Sequence, residues 1–140
     1  MRDIDSFTAL NRFGMGAGPG DAALIGGDPR GFVGAQIVPS AGLPAALAGF
    51  APSATMIADY ATARRARDGS LRAVNQRQFE AYRDEVLAAA ALAVTTPAPL
   101  RERMVRFWAN HFTVSRSRGP IANMIPAYVR EAIRPHVFGR

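Results

Sequence analysis

Apolar residues recur along this chain at intervals of roughly three to four residues, the period of an amphipathic α-helix. No stretch of strict alternation between apolar and polar residues and no hairpin turn signal interrupts that pattern. The pattern therefore predicts an all-α fold, an irregular multi-helix bundle without internal repeats. Two of its helices are predicted to be long, one over about 72–95 and the other over about 97–114.

The first long helix is predicted to bury the face that carries most of its apolar side chains. That face comprises Phe79, Tyr82, Val86, Ala90, Ala93 and Val94. Arg83 falls inside the same arc, which is unexpected for a charged residue. Its side chain either extends to solvent along its aliphatic stem or meets a buried polar partner.

Helix start signals and glycines divide the rest of the chain. Asp28 followed by Pro29 predicts a capped helix start, and Thr96 followed by Pro97 predicts the start of the second long helix. Glycine takes every second position in GMGAGPGD, residues 14–21. Because no strand precedes this segment and no lysine follows it, we interpret it as a turn rather than a phosphate-binding loop.

Composition narrows the class of protein. The chain is 49% hydrophobic and 20% charged, which is typical of a folded globular protein. It has no cysteine, so disulfides, zinc–cysteine sites and thiol nucleophiles are excluded. No apolar run approaches the roughly 20 residues that span a bilayer. The acidic start, MRDIDSFTAL, lacks the features of a signal peptide, so the chain as written is expected to be cytoplasmic.

The net charge is +6, and all 17 basic residues are arginines. Guanidinium groups bind phosphates in a forked geometry, so nucleic acid is one conceivable partner. The arginines are nevertheless spread along the chain, apart from a local group formed by Arg64, Arg65, Arg67, Arg72 and Arg77. An arginine-only basic set also follows from GC-rich codon usage, and we do not favour nucleic-acid binding.

The segment RFWANHFTVS, residues 106–115, places a histidine among aromatic residues. On a helical wheel His111 lies at the centre of the apolar face with Phe107 and Trp108, whereas Asn110 lies on the polar flank. A buried imidazole needs hydrogen-bond partners, so we expect His111 to be mostly buried with one ring nitrogen bonded. The alternative is that His111 is a ligand or a catalytic base.

No set of side chains has the spacing of a known metal or nucleophilic site. A metal at His111 would need further donors, and only His136 and Glu131 suggest themselves. Ser115 and Ser117 are close to His111 in sequence but lack the context of a nucleophile elbow. We therefore expect no metal and no cofactor.

Four segments of the chain form a recognisable set, namely LNRFGMGAGPGD, DPRGFVGAQI, PLRERMVRFWANHFTVS and YVREAIRPHVFG. Together they resemble the N-terminal part of the domain of unknown function 1800 family, whose members are bacterial, helical and uncharacterised. The resemblance implies a set of motif residues, namely Arg12, Trp108, Asn110, His111, Arg134, Pro135 and His136. Family members are several times longer, which implies that residues 1–140 form one helical domain at the start of a longer one. Many relatives are thought to be exported, in contrast to the localisation expected above.

The leading hypothesis of function is a structural or interaction module. Such a helical body would pack against a missing C-terminal portion or a partner protein, and the lack of an assembled catalytic set favours this interpretation. The last helical region is expected to expose an apolar patch or to drive self-association. Its apolar residues are Ile125, Val129, Ile133, Val137 and Phe138.

The alternative hypothesis is a fragment of an enzyme. Its polar site would lie around His111, Arg134 and His136 and would be completed by downstream residues. In that case the three side chains should converge in one cleft.

Overall fold

The computed structural model describes residues 2–38, 42–117 and 120–139, and over these residues all regular structure is helical. The all-α prediction is confirmed. In chain order the helices are α1 (Arg2–Arg12), α2 (Asp21–Ile25), α3 (Pro29–Gly34), α4 (Ala45–Ala48), α5 (Ser53–Ala66), α6 (Ser70–Thr95) and α7 (Pro99–His111). A helical C-terminal segment follows, comprising a 3-10 turn (Pro120–Met124), α8 (Ile125–Tyr128), a π-helical turn (Val129–Ile133) and a second 3-10 turn (Arg134–His136).

Both predicted long helices are present, with shifted ends. Helix α6 has 26 residues, which makes it about 39 Å long at 1.5 Å per residue. Helix α7 starts at Pro99 rather than at Pro97. The reason is that Ala98 precedes a proline, which disfavours the helical conformation, and its φ of −119° and ψ of 63° are not helical. The Thr96 hydroxyl accepts a hydrogen bond from the Ala98 N–H at 3.1 Å.

Helix α6 is the central helix of the fold. It contacts α4, α5, α7, α8 and the first 3-10 turn. One core cluster beside it contains Met56, Met124 and Ala127. A second lies between α7 and the C-terminal segment and contains Val105, Ile133 and Val137. The core is therefore divided into small clusters rather than concentrated in one.

The apolar patch expected on the last helical region is absent. Ile133 and Val137 are buried, and Val129 and Phe138 are half-buried against the same cluster. The prediction of a patch is wrong because side chains of α7, Trp108 among them, cover this region. Self-association stays a prediction.

The buried face of α6 also differs from the predicted one. Three of its predicted large core residues are exposed, namely Phe79, Val86 and Val94. Gln78 and Glu85 are buried instead. The Gln78 amide donates to the carbonyl oxygen of Met56 at 2.7 Å, and Arg130 pairs with Glu85. Arg83 is exposed, so its side chain is solvated rather than paired in the core.

Helices α1 to α3 form a small N-terminal unit with its own cluster, Ala9, Leu10 and Ile25. The predicted cap is confirmed, since the Asp28 carboxylate accepts a hydrogen bond from the Gly31 N–H at 2.9 Å with Pro29 at the first helical position. The glycine-rich segment is a loop over residues 14–20 that leads into α2 at Asp21. At Gly14 an added Cβ would lie 2.4 Å from the Leu10 carbonyl oxygen, so this turn needs glycine.

The π-helical turn before Pro135 brings two arginines to the inner face of the C-terminal segment. Proline has no N–H and its ring collides with the carbonyl one turn earlier, so a regular helix cannot continue through it. The Arg134 N–H bonds to the carbonyl of Val129, five residues back. Arg130 and Arg134, one turn apart, are both buried. Single π turns within helices are rare and are often found at functional sites.

Candidate functional site

Two arginine–glutamate pairs lie inside the helical body. The Nε of Arg130 donates to Oε1 of Glu85 at 2.7 Å, and its Nη2 donates to the Ala51 carbonyl at 2.7 Å. The two terminal nitrogens of Arg134 donate to the two carboxylate oxygens of Glu102, with 2.8 Å between Nη2 and Oε2. All four charged side chains are at most 7% exposed. Because buried charges need partners, these pairs tie the C-terminal segment to α6 and to α7.

A cleft of about 470 Å³ lies beside the second pair, where residues 35–38, 42 and 44 meet the end of α6 and the start of α7. Most of its wall is apolar and is formed by Phe32, Ala35, Val38, Pro44, Leu92, Pro97 and Ala98. Its polar lining consists of Gln36, Thr96, Arg101, Glu102 and Arg134. The Gln36 amide oxygen accepts a hydrogen bond from the Leu100 N–H at 2.8 Å, which holds the N-terminal unit against α7.

Arg101 is the second guanidinium at this cleft and is only 6% exposed. Its Nη2 donates to the carbonyl oxygen of Val38, and its guanidinium carbon lies 5.0 Å from the centre of the Phe138 ring. Burial and then the charge of Arg134 lower the pKa of Arg101, and the charge of Glu102 opposes this effect. Two cations and one anion thus meet at the cleft, which leaves an excess of positive charge.

Two N–H groups of these arginines have no acceptor among the residues that the structure describes. They are Nε of Arg134 and Nη1 of Arg101, and both atoms are buried. A buried donor without a partner costs roughly 1–3 kcal/mol. Such a group is uncommon enough in a folded protein to require an explanation.

The opposite end of α7 carries an exposed group of rings, which we name the α7 aromatic cluster: Phe107, Trp108, His111 and Phe112. Phe107 is 55% exposed and Phe112 is 51% exposed, whereas Trp108 is half-buried beneath them. The Trp108 ring lies 5.1 Å edge-on from Phe107 and is stacked on Phe112 at 5.6 Å. The His111 ring lies 5.0 Å from that of Phe112. These rings contact one another and also face solvent.

The prediction that His111 is buried is wrong, because its side chain is exposed. The buried side of α7 contains Leu100, Arg101, Glu102 and Val105. His111 lies about 180° from Glu102 around the helix but only about 20° from the buried Leu100, so the direction of its side chain alone does not explain its exposure. His111 is the last residue of α7, where the described residues leave its ring open to solvent. Its exposure therefore depends on its position along the helix, which a wheel of one helix does not represent. Asn110 is exposed, as predicted.

The structure does not bring His111 and Arg134 together. Nine residues of rise separate His111 from Glu102, the partner of Arg134, which is about 13 Å along the helix axis. His136 is exposed on the last 3-10 turn. Arg134 lines the 470 Å³ cleft, and neither histidine does. A catalytic role for the three residues stays a prediction, and they do not share this cleft.

A family model described as "Protein of unknown function (DUF1800)" matches residues 8–140. The chain belongs to the DUF1800 family. The resemblance that the sequence segments suggested is confirmed. Comparisons with curated proteins and with solved structures found no match.

The DUF1800 match includes both the arginine-lined cleft and the α7 aromatic cluster. Of the remaining DUF1800 motif residues implied by the resemblance, Arg12 and Pro135 are exposed, and Trp108 is half-buried. Within the described ranges no three histidine, aspartate or glutamate side chains are grouped as a metal site would require. Nor is any helix there long and apolar enough to cross a membrane.

Four buried charged residues were not predicted from the sequence, namely Glu85, Arg101, Glu102 and Arg130. The sequence contains one signal for them, the spacing of Arg130 and Arg134 one helical turn apart in an otherwise apolar segment. Two arginines on one inward face require carboxylates from other helices, since unpaired buried charges are too costly. The sequence alone does not say which of the acids on α6 and α7 they meet.

Proposed function

We propose that this DUF1800 chain is a structural or interaction module that packs against another polypeptide through the α7 aromatic cluster. One observation carries the proposal: two phenylalanine rings, each more than half exposed, both lie against Trp108 at the end of α7. Isolated exposed apolar side chains are common on proteins, but a contiguous group of rings marks a contact surface.

The chemistry around the cluster favours an acidic partner. Arg103, Arg106 and Arg116 are exposed on α7 and just after it, and the chain has a net charge of +6. Phe107 and His111 are one helical turn apart, which suits the ridge of a second helix. The proposed occupant is therefore a helix with an apolar face flanked by carboxylates. It belongs either to a C-terminal portion of a longer family polypeptide or to a partner protein.

Trp108 allows a direct test, because it is the only tryptophan of the chain and lies within the cluster. The probes are a synthetic helix built from leucine and glutamate heptads and a matched helix with lysine in place of glutamate. The leucine–glutamate helix should shift the Trp108 emission to shorter wavelength and saturate. The lysine helix should bind at least about tenfold more weakly, because like charges oppose it.

Two variants distinguish binding at this surface from nonspecific hydrophobic binding. Replacing both Phe107→Ser and Phe112→Ser should remove the response, and should also remove any self-association of the isolated chain seen by light scattering. Ile57→Ser on α5 removes a side chain that is 56% exposed and should leave binding unchanged. No emission change with either helix, or equal loss of binding in the Ile57 variant, would contradict the proposal.

A further inference from the structure

We propose that the cleft between the start of α7 and residues 35–38 binds a small organic monocarboxylate. Its carboxylate group would lie between Arg101 and Arg134, and its apolar body would lie against the wall of the cleft. This site is at the other end of α7 from the aromatic cluster, so the inference does not rest on the proposed function.

The hydrogen-bond donors at the cleft are the first support. Arg101 and Arg134 both line it, are 6% and 5% exposed, and each retains a buried N–H without an acceptor among the described residues. Both side chains are already held in place, Arg134 by Glu102 and Arg101 by the Val38 carbonyl and the Phe138 ring. Preorganised guanidinium donors bind a carboxylate with little loss of conformational entropy.

The charge at the cleft selects a monoanion. Arg101 and Arg134 contribute two positive charges and Glu102 contributes one negative charge, so one further negative charge neutralises the group. A dianion such as a phosphate would instead leave an excess negative charge beside the buried Glu102 carboxylate. Uncompensated charge is costly at a site with this little exposure to water.

The wall of the cleft selects the rest of the ligand. Phe32, Val38, Leu92 and Ala98 contribute apolar surface, and the cleft volume of about 470 Å³ lies within the range of small-molecule sites. An aliphatic or aromatic body fits such a wall, whereas a polyhydroxylated one would lose its hydrogen bonds to water.

The test uses octanoate as the probe and the arginine side-chain N–H signals of the ¹⁵N-labelled full chain as the readout. Octanoate should shift the Arg134 Nε–H signal saturably and slow its exchange with water. An equal shift with 1-octanol, which has no carboxylate, would show that the cleft binds the apolar chain alone. Tighter binding of inorganic phosphate would make it an inorganic anion site, and no saturable shift would mean that water satisfies these donors. Each of these three results overturns the proposal.

A variant tests the role of the second cation. Arg101→Met removes one guanidinium and leaves the Arg134–Glu102 pair in place, so it should weaken octanoate binding about tenfold or more. Arg106→Met removes an exposed arginine of the same helix that does not line the cleft and should change the affinity by less than about twofold. Unchanged binding in Arg101→Met would refute the assignment. If that variant does not fold, the spectra of the parent chain still decide.

Discussion

The first half of α7 buries two charged side chains, whereas two phenylalanine rings are exposed in its second half and directly after it. Arg101 and Glu102 are 6% and 3% exposed, while Phe107 and Phe112 are 55% and 51% exposed. The difference lies in what faces each half. The C-terminal segment brings Arg134 to Glu102, and no described element covers the two phenylalanines. The burial of each half of the helix thus depends on the partners that other elements supply, and not on its own apolar residues alone.

The buried half and the exposed half also differ in how they depend on their neighbours. A buried ion pair adds little net stability over a well-packed apolar pair, but removal of one partner leaves a charge that the interior cannot solvate. An exposed ring loses only modest contacts when it is removed, because water already reaches it. The two halves of α7 should therefore respond very differently to single substitutions.

The largest effect is expected from Arg134→Met. This change leaves the Glu102 carboxylate buried without its partner and should lower the free energy of unfolding by about 3–5 kcal/mol. Urea unfolding followed by circular dichroism measures it. The double variant Glu102→Leu with Arg134→Met replaces both charges by apolar groups and should recover most of the loss.

An exposed arginine of the same helix provides the control for charge alone. Arg106→Met should change the free energy of unfolding by no more than about 0.5 kcal/mol. If Arg134→Met lowers the free energy of unfolding by less than about 1 kcal/mol, the Arg134–Glu102 pair does not hold the C-terminal segment in place. The two halves of α7 would then not differ as described.

The secondary structure was largely readable from the sequence, and the orientation of the helices was not. Helical periodicity located α6 and α7 to within a few residues, and Asp28 with Pro29 located the start of α3. These features depend on residues close to one another in the chain. The burial of Glu85 depends on Arg130, 45 residues away. A helical wheel represents the residues of one helix only, so it does not include such a partner.

The same limit explains the candidate sites. The group of rings around residue 111 was visible in the sequence, but its exposure was not, because that depends on what the rest of the chain leaves uncovered. The cleft between Arg101 and Arg134 joins three separate segments and had no signature in any one of them. Arg134 was singled out only through the family resemblance, which did not indicate its pairing with Glu102.

Glu131, on the C-terminal segment, shares one property with each half of α7. Its side chain is exposed, as the two phenylalanines are, but it has a defined hydrogen-bond partner, as Glu102 does. It accepts hydrogen bonds from the Ser53 N–H at 2.9 Å and from the Ser53 hydroxyl at 2.5 Å. Burial alone would raise the pKa of Glu131, but these bonds and the charge of Arg130 outweigh it and lower the pKa. Because the folded pKa is depressed, the stabilisation is present above the usual glutamate pKa of about 4.3 and is lost as the pH falls through the folded value.

Ser53→Ala should therefore have a pH-dependent effect of moderate size. It removes one of the two hydrogen bonds and should lower the free energy of unfolding by about 1 kcal/mol at neutral pH. The difference from the parent should vanish at a pH where Glu131 is protonated in both states. Urea unfolding at both pH values measures this effect, and Ser53→Thr, which keeps the hydroxyl, should retain the neutral-pH stability. A deficit that is equal at both pH values would show that the serine acts without the carboxylate.

The smallest effect is expected from His111→Ala. Its imidazole is exposed at the end of α7, so its removal should change the free energy of unfolding by no more than about 0.5 kcal/mol. Val105→Ala, at a position of the same helix that is only 3% exposed, should cost on the order of 2 kcal/mol, because it leaves a cavity in the core. Thermal or denaturant unfolding of the two variants gives the ratio directly. If His111→Ala were as destabilising as Val105→Ala, the ring would have to be enclosed by the fold. The α7 aromatic cluster would then be part of the core and not a surface for a partner.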